Sequence, residues 1–477
     1  MTVIHLAFRL GLERRPVNGI TEPRRPTGPI STSPIARIPR RADAWVERAP
    51  PVGLRIIYVV NAFPWPLTSG YLRHYKFIQE MARRGHRISL MAITSGDPSA
   101  SDLAALGPLT ERIVTVPSDR RDRSFRTRMV RRLRVVAGGE PAAIRLRDAI
   151  VELLDSVEHD VGLYSGIRTY PAIHAMAGLP LVADVCDAAS RRVLGNLRHG
   201  PGRRTPLLIS ELIEARLVER ALVARADHLL FASCRDLEPV VSDADRARAT
   251  VVANGVDLDY WRRPDGLGLG TDEIVLTGAM DYPPNTDAAL YLIREIFPHV
   301  RAAAPSAHLS IVGRDPTREL IEAGRRAGVT VTGAVADIRP FLSAASVFAA
   351  PLRFGAGIQN KLLEALAMQV PTVASRNAAD GLVTADGATP PLTVEDDPEV
   401  FASILVRRLR TARADPAPPT AGRDHVGRHF SWTKSGDRLD AILRAVVDTR
   451  ASEPIDRLLP RDGPDVGPSG TTVTVMR

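Results

Sequence analysis

Apolar residues recur along this chain in two alternating rhythms. Short runs rich in Val, Ile and Leu have the length of buried strands, and between them apolar positions return every three or four residues, as on one face of a helix. RIIYVVNAF opens the series just after Leu54, and FPWPLTSG breaks it before Leu72, Tyr75, Ile78 and Met81 resume at helical spacing. RISLMAI, RIVTVP (Arg112–Pro117), Val161–Tyr164 and Leu181–Val185 read as further strands, and a helix over 206–226, then HLLFAS and ATVVANGVD, close a first set. The alternation restarts with EIVLTGAM, a helix over Thr286–Ala304, AHLSIVGR, a helix ending at Ala327, VTVTGAV, the helix IRPFLSAA and SVFAAPL. Strands alternating with helices at this length predict doubly wound parallel sheets of the α/β class. PDGLGLGTD reads as a linker between the two sets, so the pattern predicts one doubly wound domain over 54–260 and another over 270–430. FSWTKSGDRLDAILRAVV supplies a last helix over 431–449.

The most informative stretch is PLRFGAGIQNKLLEALAMQVPTVAS, Pro351 to Ser375. An apolar run from Ala345 to Leu352 stops at a glycine-interrupted loop, a helix with Leu362, Leu363 and Leu366 follows, and Val370–Val373 closes a βαβ unit. At the carboxyl end of a strand, such a loop converges free backbone N–H groups and the positive end of a helix dipole around Gly357–Asn360, an arrangement that binds anions. Gly355 and Gly357 permit the positive φ and close backbone approach a diphosphate needs. Lys361 lies in the first turn and Glu364 one turn deeper, where a surface ion pair worth about 0.3 kcal/mol is the competing reading. Ser69 and Gly70 form a second anion-competent turn between strand and helix. Asp184 and Asp187 follow a strand's end, where open α/β sheets place ligand contacts; Asp187 has helix capping ahead of Ala188–Leu194 as its alternative.

Charge changes the picture at two places. Residues 1–53 are rich in Pro and Arg without an apolar period and predict a disordered arm; the polar, Pro/Gly-rich tail over 450–477 reads likewise. Residues 119–134 hold eight arginines and two aspartates, with Phe125, Met129 and Leu133 on one helical face. A basic amphipathic helix of this kind is a candidate for an anionic membrane surface, with a solvated packed helix as the alternative. Nucleic acid is not expected, because aromatics make up 5% of the chain and only Phe125 interleaves the basic run. Two cysteines exclude a disulfide framework, no apolar run approaches the 18 or more residues of a spanning helix, and the amino terminus lacks a signal-peptide h-region and cleavage site. Localisation is therefore expected to be cytoplasmic, with the inner membrane face as a candidate peripheral surface.

GIQNKLLEALAMQVPTVAS is similar to the nucleotide-binding segment of retaining GT-B glycosyltransferases, family four (glycosyl transferases group 1). Val252–Asp257 resembles that family's P-N-G-V-D crossing between domains, with Ala253 at its proline, and TGAMDYPPNTDA resembles its exopolysaccharide-associated sugar transferases. The resemblance covers about 54–448 and implies a GT-B fold, two Rossmann-like domains facing a cleft, with the last helix crossing back to the first. It implies transfer of a hexose from a nucleotide diphosphate sugar to a glycan or lipid-linked acceptor with retention, in polysaccharide biosynthesis, without a metal or other cofactor and without a protein nucleophile. Carried over, the Ile358, Gln359 and Asn360 amides meet the diphosphate, Glu364 binds the ribose, Ser69-Gly70 faces the diphosphate, and Asp184 and Asp187 bind acceptor hydroxyls. The chain departs from the family in three positions: Ala356 stands at a common glutamate, and Met280 and Asn285 stand at about the places of an Arg and a Lys that grip the diphosphate. Arg314 and Lys361 are the candidate replacements for that charge. A catalytically silent nucleotide-sugar-binding or scaffold protein and a sugar-nucleotide epimerase are the alternatives of the same fold.

Overall fold

A computed structural model describes residues 53–452, apart from 66–70, 95, 97, 119–140, 168, 200–204 and 271. The arm, the tail after Ser452, Ser69-Gly70 and the Arg120–Arg134 patch, about which the sequence sets expectations, lie outside these described residues.

Two parallel sheets organise the chain. The first orders β3-β2-β1-β4-β5-β6-β7, from β1 (Arg55–Val60), β2 (Arg87–Thr94), β3 (Arg112–Pro117), β4 (Val161–Ser165), β5 (Leu181–Cys186), β6 (His228–Phe231) and β7 (Ala249–Val251). The second orders β10-β9-β8-β11-β12-β13, from β8 (Glu273–Thr277), β9 (His308–Val312), β10 (Thr330–Val331), β11 (Val347–Ala350), β12 (Thr372–Ala374) and β13 (Thr393–Val394). In each, the order reverses beside the first strand, so that loops at the carboxyl ends of β1 and β4, or of β8 and β11, part and leave a crevice. The central strands β1, β4, β8 and β11 are buried along nearly their whole length, as strands covered by helices on both faces must be. The described fold is GT-B: two Rossmann-like α/β domains.

Two details depart from the apolar pattern, each for a local reason. The helix expected over Thr286–Ala304 is three pieces: Pro283–Tyr291, a π-helical turn Leu292–Ile296, and Phe297–Ala303. Pro298 cannot donate to the Arg294 carbonyl and crowds it, and the ladder widens just before it so that the Phe297 amide reaches Leu292 O. His86, just before β2, is buried and bridges two elements: its Nδ1 accepts from the Leu54 amide at 2.9 Å and its Nε2 meets Asp440 Oδ1 at 2.7 Å.

Asp440 belongs to helix Trp432–Ser452, which lies against helix Leu72–Arg83 of the first domain. Trp432 joins the core that includes Phe77 and Leu230, Ser435 Oγ donates to Ala253 O at 2.7 Å, and Arg450 pairs with Asp227 at 2.8 Å. Gly255 has no room for a side chain, since an added Cβ would lie 2.2 Å from the Trp432 amide nitrogen. The glycine of the A-N-G-V-D stretch is thus where the crossing chain and the returning helix touch.

Candidate active site

The Gly-rich loop leaves β11 at Ala350 and enters helix Asn360–Ala367, with Gln359 at the N-cap. Gly355 (φ +149°) and Gly357 (φ +72°) both use positive φ. Gly357 also abuts the first domain, where a Cβ would come 3.2 Å from Asp187 Cβ. Phe354 stacks on His199 of the first domain, ring centroids 5.6 Å apart. Ile358 is half-buried and Gln359 buried, its amide reaching Ala356 O at 3.4 Å, while Asn360 Oδ1 accepts from Asn254 Nδ2 at 3.1 Å.

Lys361 and Glu364 are not a surface ion pair. Lys361 is 9% exposed, its ammonium donates to Asn285 Oδ1, and no ion pair joins it to Glu364 among the described residues. Burial lowers the Lys361 pKa to about 8, partly offset by Glu364, and burial raises half-buried Glu364 to about 7 against the pull of Lys361. Asn285 therefore serves Lys361, and its own Nδ2 donates to Ala279 O at 2.9 Å. Met280, at the other departed position, is fully buried in the second-domain core. Arg314 is brought to neither group: it is exposed, and pairs with Asp315 at 2.6 Å and Asp281 at 3.7 Å.

On the first-domain side the two aspartates, equivalent in sequence, part company. β5 carries a register shift between Asp184 and Cys186, and Cys186 sits at φ +62°, a strained value for a residue with a β-carbon. Asp184 turns inward, 1% exposed, and both carboxylate oxygens accept from Arg73, Oδ2 from Nε and Oδ1 from Nη2, each at 2.8 Å. Arg73 also donates to Val252 O at 2.7 Å and Asn254 Oδ1 at 3.0 Å and lies 4.4 Å over the Phe77 ring. Asp187 turns toward Gly357, and its carboxylate makes no hydrogen bond or ion pair with another residue's side chain among the described residues. The capping alternative fails, because the amides it would serve are taken elsewhere: Ala188 N donates to Asp236 Oδ1 at 3.3 Å and Ser190 N to Glu219 Oε1 at 2.9 Å. Burial, then the Asp236 charge, raises the Asp187 pKa, and Arg192 opposes them.

Sequence reading missed the residues that β6 delivers. Arg235 and Asp236, in the short helix Cys234–Leu237, reach the Gly-rich loop: Arg235 Nη2 donates to Gly355 O at 3.0 Å and Asp236 Oδ2 accepts from Gly357 N at 2.9 Å. The signal existed, since HLLFAS is a strand whose carboxyl end carries charged residues, just as Leu181–Val185 is.

Residues 271–411 match the family model described as Glycosyl transferases group 1. The protein is a GT-B glycosyltransferase. No curated protein matches the chain. Solved structures resemble it across 82–83% of its length and the whole of theirs: Anabaena HepE in complex with UDP and glucose (TM-score 0.56, 13% identity), sucrose-phosphate synthase from Thermosynechococcus elongatus (0.60, 15%) and α,α-trehalose 6-phosphate synthase from Burkholderia multivorans (0.54, 15%). At these identities the likeness bears on the glycosyltransferase's fold and leaves its substrates to be argued from the site.

Proposed function

We propose that this glycosyltransferase moves a hexose from a nucleotide diphosphate sugar to a glycan or lipid-linked acceptor with retention, in polysaccharide biosynthesis, without a metal ion. The observation that carries the reading is the Gly355–Asn360 loop opening onto helix Asn360–Ala367, with Glu364 one turn inside and Asp187 across from Gly357. Loop amides suit the diphosphate and the Glu364 carboxylate suits ribose hydroxyls. Lys361 acts from beneath the loop as a buried cation. The related fold of HepE was solved with UDP-glucose, which supports the donor class. Asp187, whose carboxylate forms no ion pair among the described residues, is the acceptor-binding group of the pair; Asp184, closed off by Arg73, belongs to the scaffold. Retention without a protein nucleophile leaves the departing diphosphate to take the acceptor proton, so the protein's contribution is positioning and positive charge. Among the described residues no helix is long and apolar enough to cross a membrane. We assign contact with the inner leaflet to the Arg120–Arg134 segment.

Calorimetric titration with UDP, GDP and their nucleosides tests the donor site. Glu364→Gln keeps helix propensity but weakens charge-assisted hydrogen bonds, so nucleotide and nucleoside affinity should both fall about tenfold. Equal affinities in the wild type and this variant would remove the loop as the donor site.

A further inference from the structure

Apart from Lys361, buried beneath the loop, the candidate cations of the second domain do not face the place where a diphosphate would lie. Met280 is in its core, Asn285 is occupied by Lys361, and Arg314 faces Asp315. The first domain has the opposite imbalance. Arg235 is 8% exposed, yet no carboxylate pairs with it among the described residues; its hydrogen bonds go to Gly355 O, to Asn377 O and, at 3.4 Å, to Asn377 Oδ1. Its Nε is buried without an acceptor, and so is Asn377 Nδ2 on the other side of the same contact. Arg191, half-buried, makes no side-chain hydrogen bond or ion pair among the described residues and adds its repulsion to the burial that already disfavours the Arg235 charge. Buried donors left orphaned and a buried cation left uncompensated are both costly, and where they meet at a Gly-rich loop an anion would relieve both. Asp236 and Asp380 attract the Arg235 charge without pairing with it and do not outweigh its burial; the Asp236 carboxylate accepts from Gly357 N, Ser233 Oγ and Ala188 N, and so fixes the loop.

We propose that Arg235 of the first domain, with Asn377 of the second beside it, binds the diphosphate of the nucleotide sugar, and that Asp236 positions the loop for it. This rests on Gly355–Asn360 being the donor loop. It makes donor binding a property of both domains together, since the cation and the amides come from opposite sides of the cleft.

The test is calorimetry on the full chain with uridine, UMP, UDP and inorganic pyrophosphate, run on the wild type, Arg235→Ala, Arg235→Lys and Asn377→Ala, with the melting temperature of each as a folding control. Arg235→Ala should weaken UDP about tenfold or more and leave uridine unchanged. Arg235→Lys, which keeps the charge and loses the fork, should fall between wild type and Ala and stands in if the Ala variant does not fold. Asn377→Ala should weaken UDP and pyrophosphate but not uridine. A purely structural Arg235 would weaken uridine and UDP alike, and that result overturns the proposal. Unchanged UDP affinity in Arg235→Ala also overturns it, while Glu364→Gln still weakening both ligands would leave the donor loop standing. A wild type that binds none of the four ligands would overturn the loop assignment and this proposal together.

Discussion

Replacing Asp184 should unfold the first domain long before it touches chemistry. The Arg73–Asp184 pair is almost wholly shielded from water, at 4% and 1% exposure, and is bidentate with both contacts at 2.8 Å. Asp184→Ala leaves Arg73 with the Val252 carbonyl, Asn254 and the Phe77 ring but no counter-charge. Breaking a buried pair from one side costs roughly 3–5 kcal/mol, because the surviving charge stays desolvated. At about 2–4 °C per kcal/mol for a domain of this size, the melting temperature should drop by about 6–20 °C. Replacing both partners together, Arg73→Met with Asp184→Leu, removes the orphaned charge and should recover most of that loss. Thermal and urea unfolding at pH 7, followed by circular dichroism and by the fluorescence of Trp432, which packs against Phe77, read the difference. Nucleotide affinity in Asp184→Ala, measured well below its melting temperature, should fall only a few-fold, through the Arg73–Asn254–Asn360 chain of hydrogen bonds. A melting temperature within 2 °C of wild type together with abolished transfer would refute this reasoning and return Asp184 to the acceptor site.

Other expectations follow from the same geometry. Asp187→Asn should leave stability unchanged or slightly raised, because burial and the Asp236 charge disfavour the carboxylate more than Arg192 favours it, while transfer to acceptor falls and donor affinity holds; parallel melting, titration and transfer assays check it. Gly357→Ala forces a side chain into φ +72° and to 3.2 Å from Asp187, so about 1–3 kcal/mol of strain and weakened nucleotide binding should appear together in calorimetry. Nucleoside affinity should rise as pH increases through about 7, where Glu364 ionises, and diphosphate affinity should then decline above about 8, where Lys361 loses its proton; Glu364→Gln should remove the acid limb alone. His74 works on stability instead. Burial lowers its pKa to about 4, so between that value and the ordinary 6.5 the unfolded chain binds a proton the native one does not. Stability should therefore be lost as pH falls through that window, and His74→Gln should flatten the acid side of the melting curve.

Sheet architecture was legible because strand and helix leave different periods in the sequence and because both domains repeat the same alternation. Apolar runs such as RIIYVV and SVFAA are buried on both faces, so nothing polar interrupts them. The π turn at Leu292–Ile296 was not legible, since its cause is one proline acting on a carbonyl a turn earlier while the apolar period runs on undisturbed. The bridging role of His86 was not legible for a related reason: its two partners, Leu54 and Asp440, lie 32 and 354 residues away, beyond any local window.

The site divides along the same line. Gly355, Gly357 and helix Asn360–Ala367 were readable because loop, glycines and helix start are contiguous and their chemistry is that of the backbone. Roles that depend on which side chain meets which were not. Asp184 and Asp187 satisfy one and the same positional rule, and their fates are separated by the Cys186 bulge and by Arg73, which is 111 residues from Asp184. Lys361 and Glu364, three residues apart on one helix, look like a surface pair until Asn285 is brought 76 residues along the chain to take the ammonium. That last contact also changes the meaning of the departed positions. A family cation replaced by Asn285 reads in sequence as a lost contact to the donor; in the fold the asparagine is what keeps a buried lysine satisfied. On the proposed donor site the charge balance of the cleft is met from the first domain, where Arg235 is buried and forms no ion pair among the described residues.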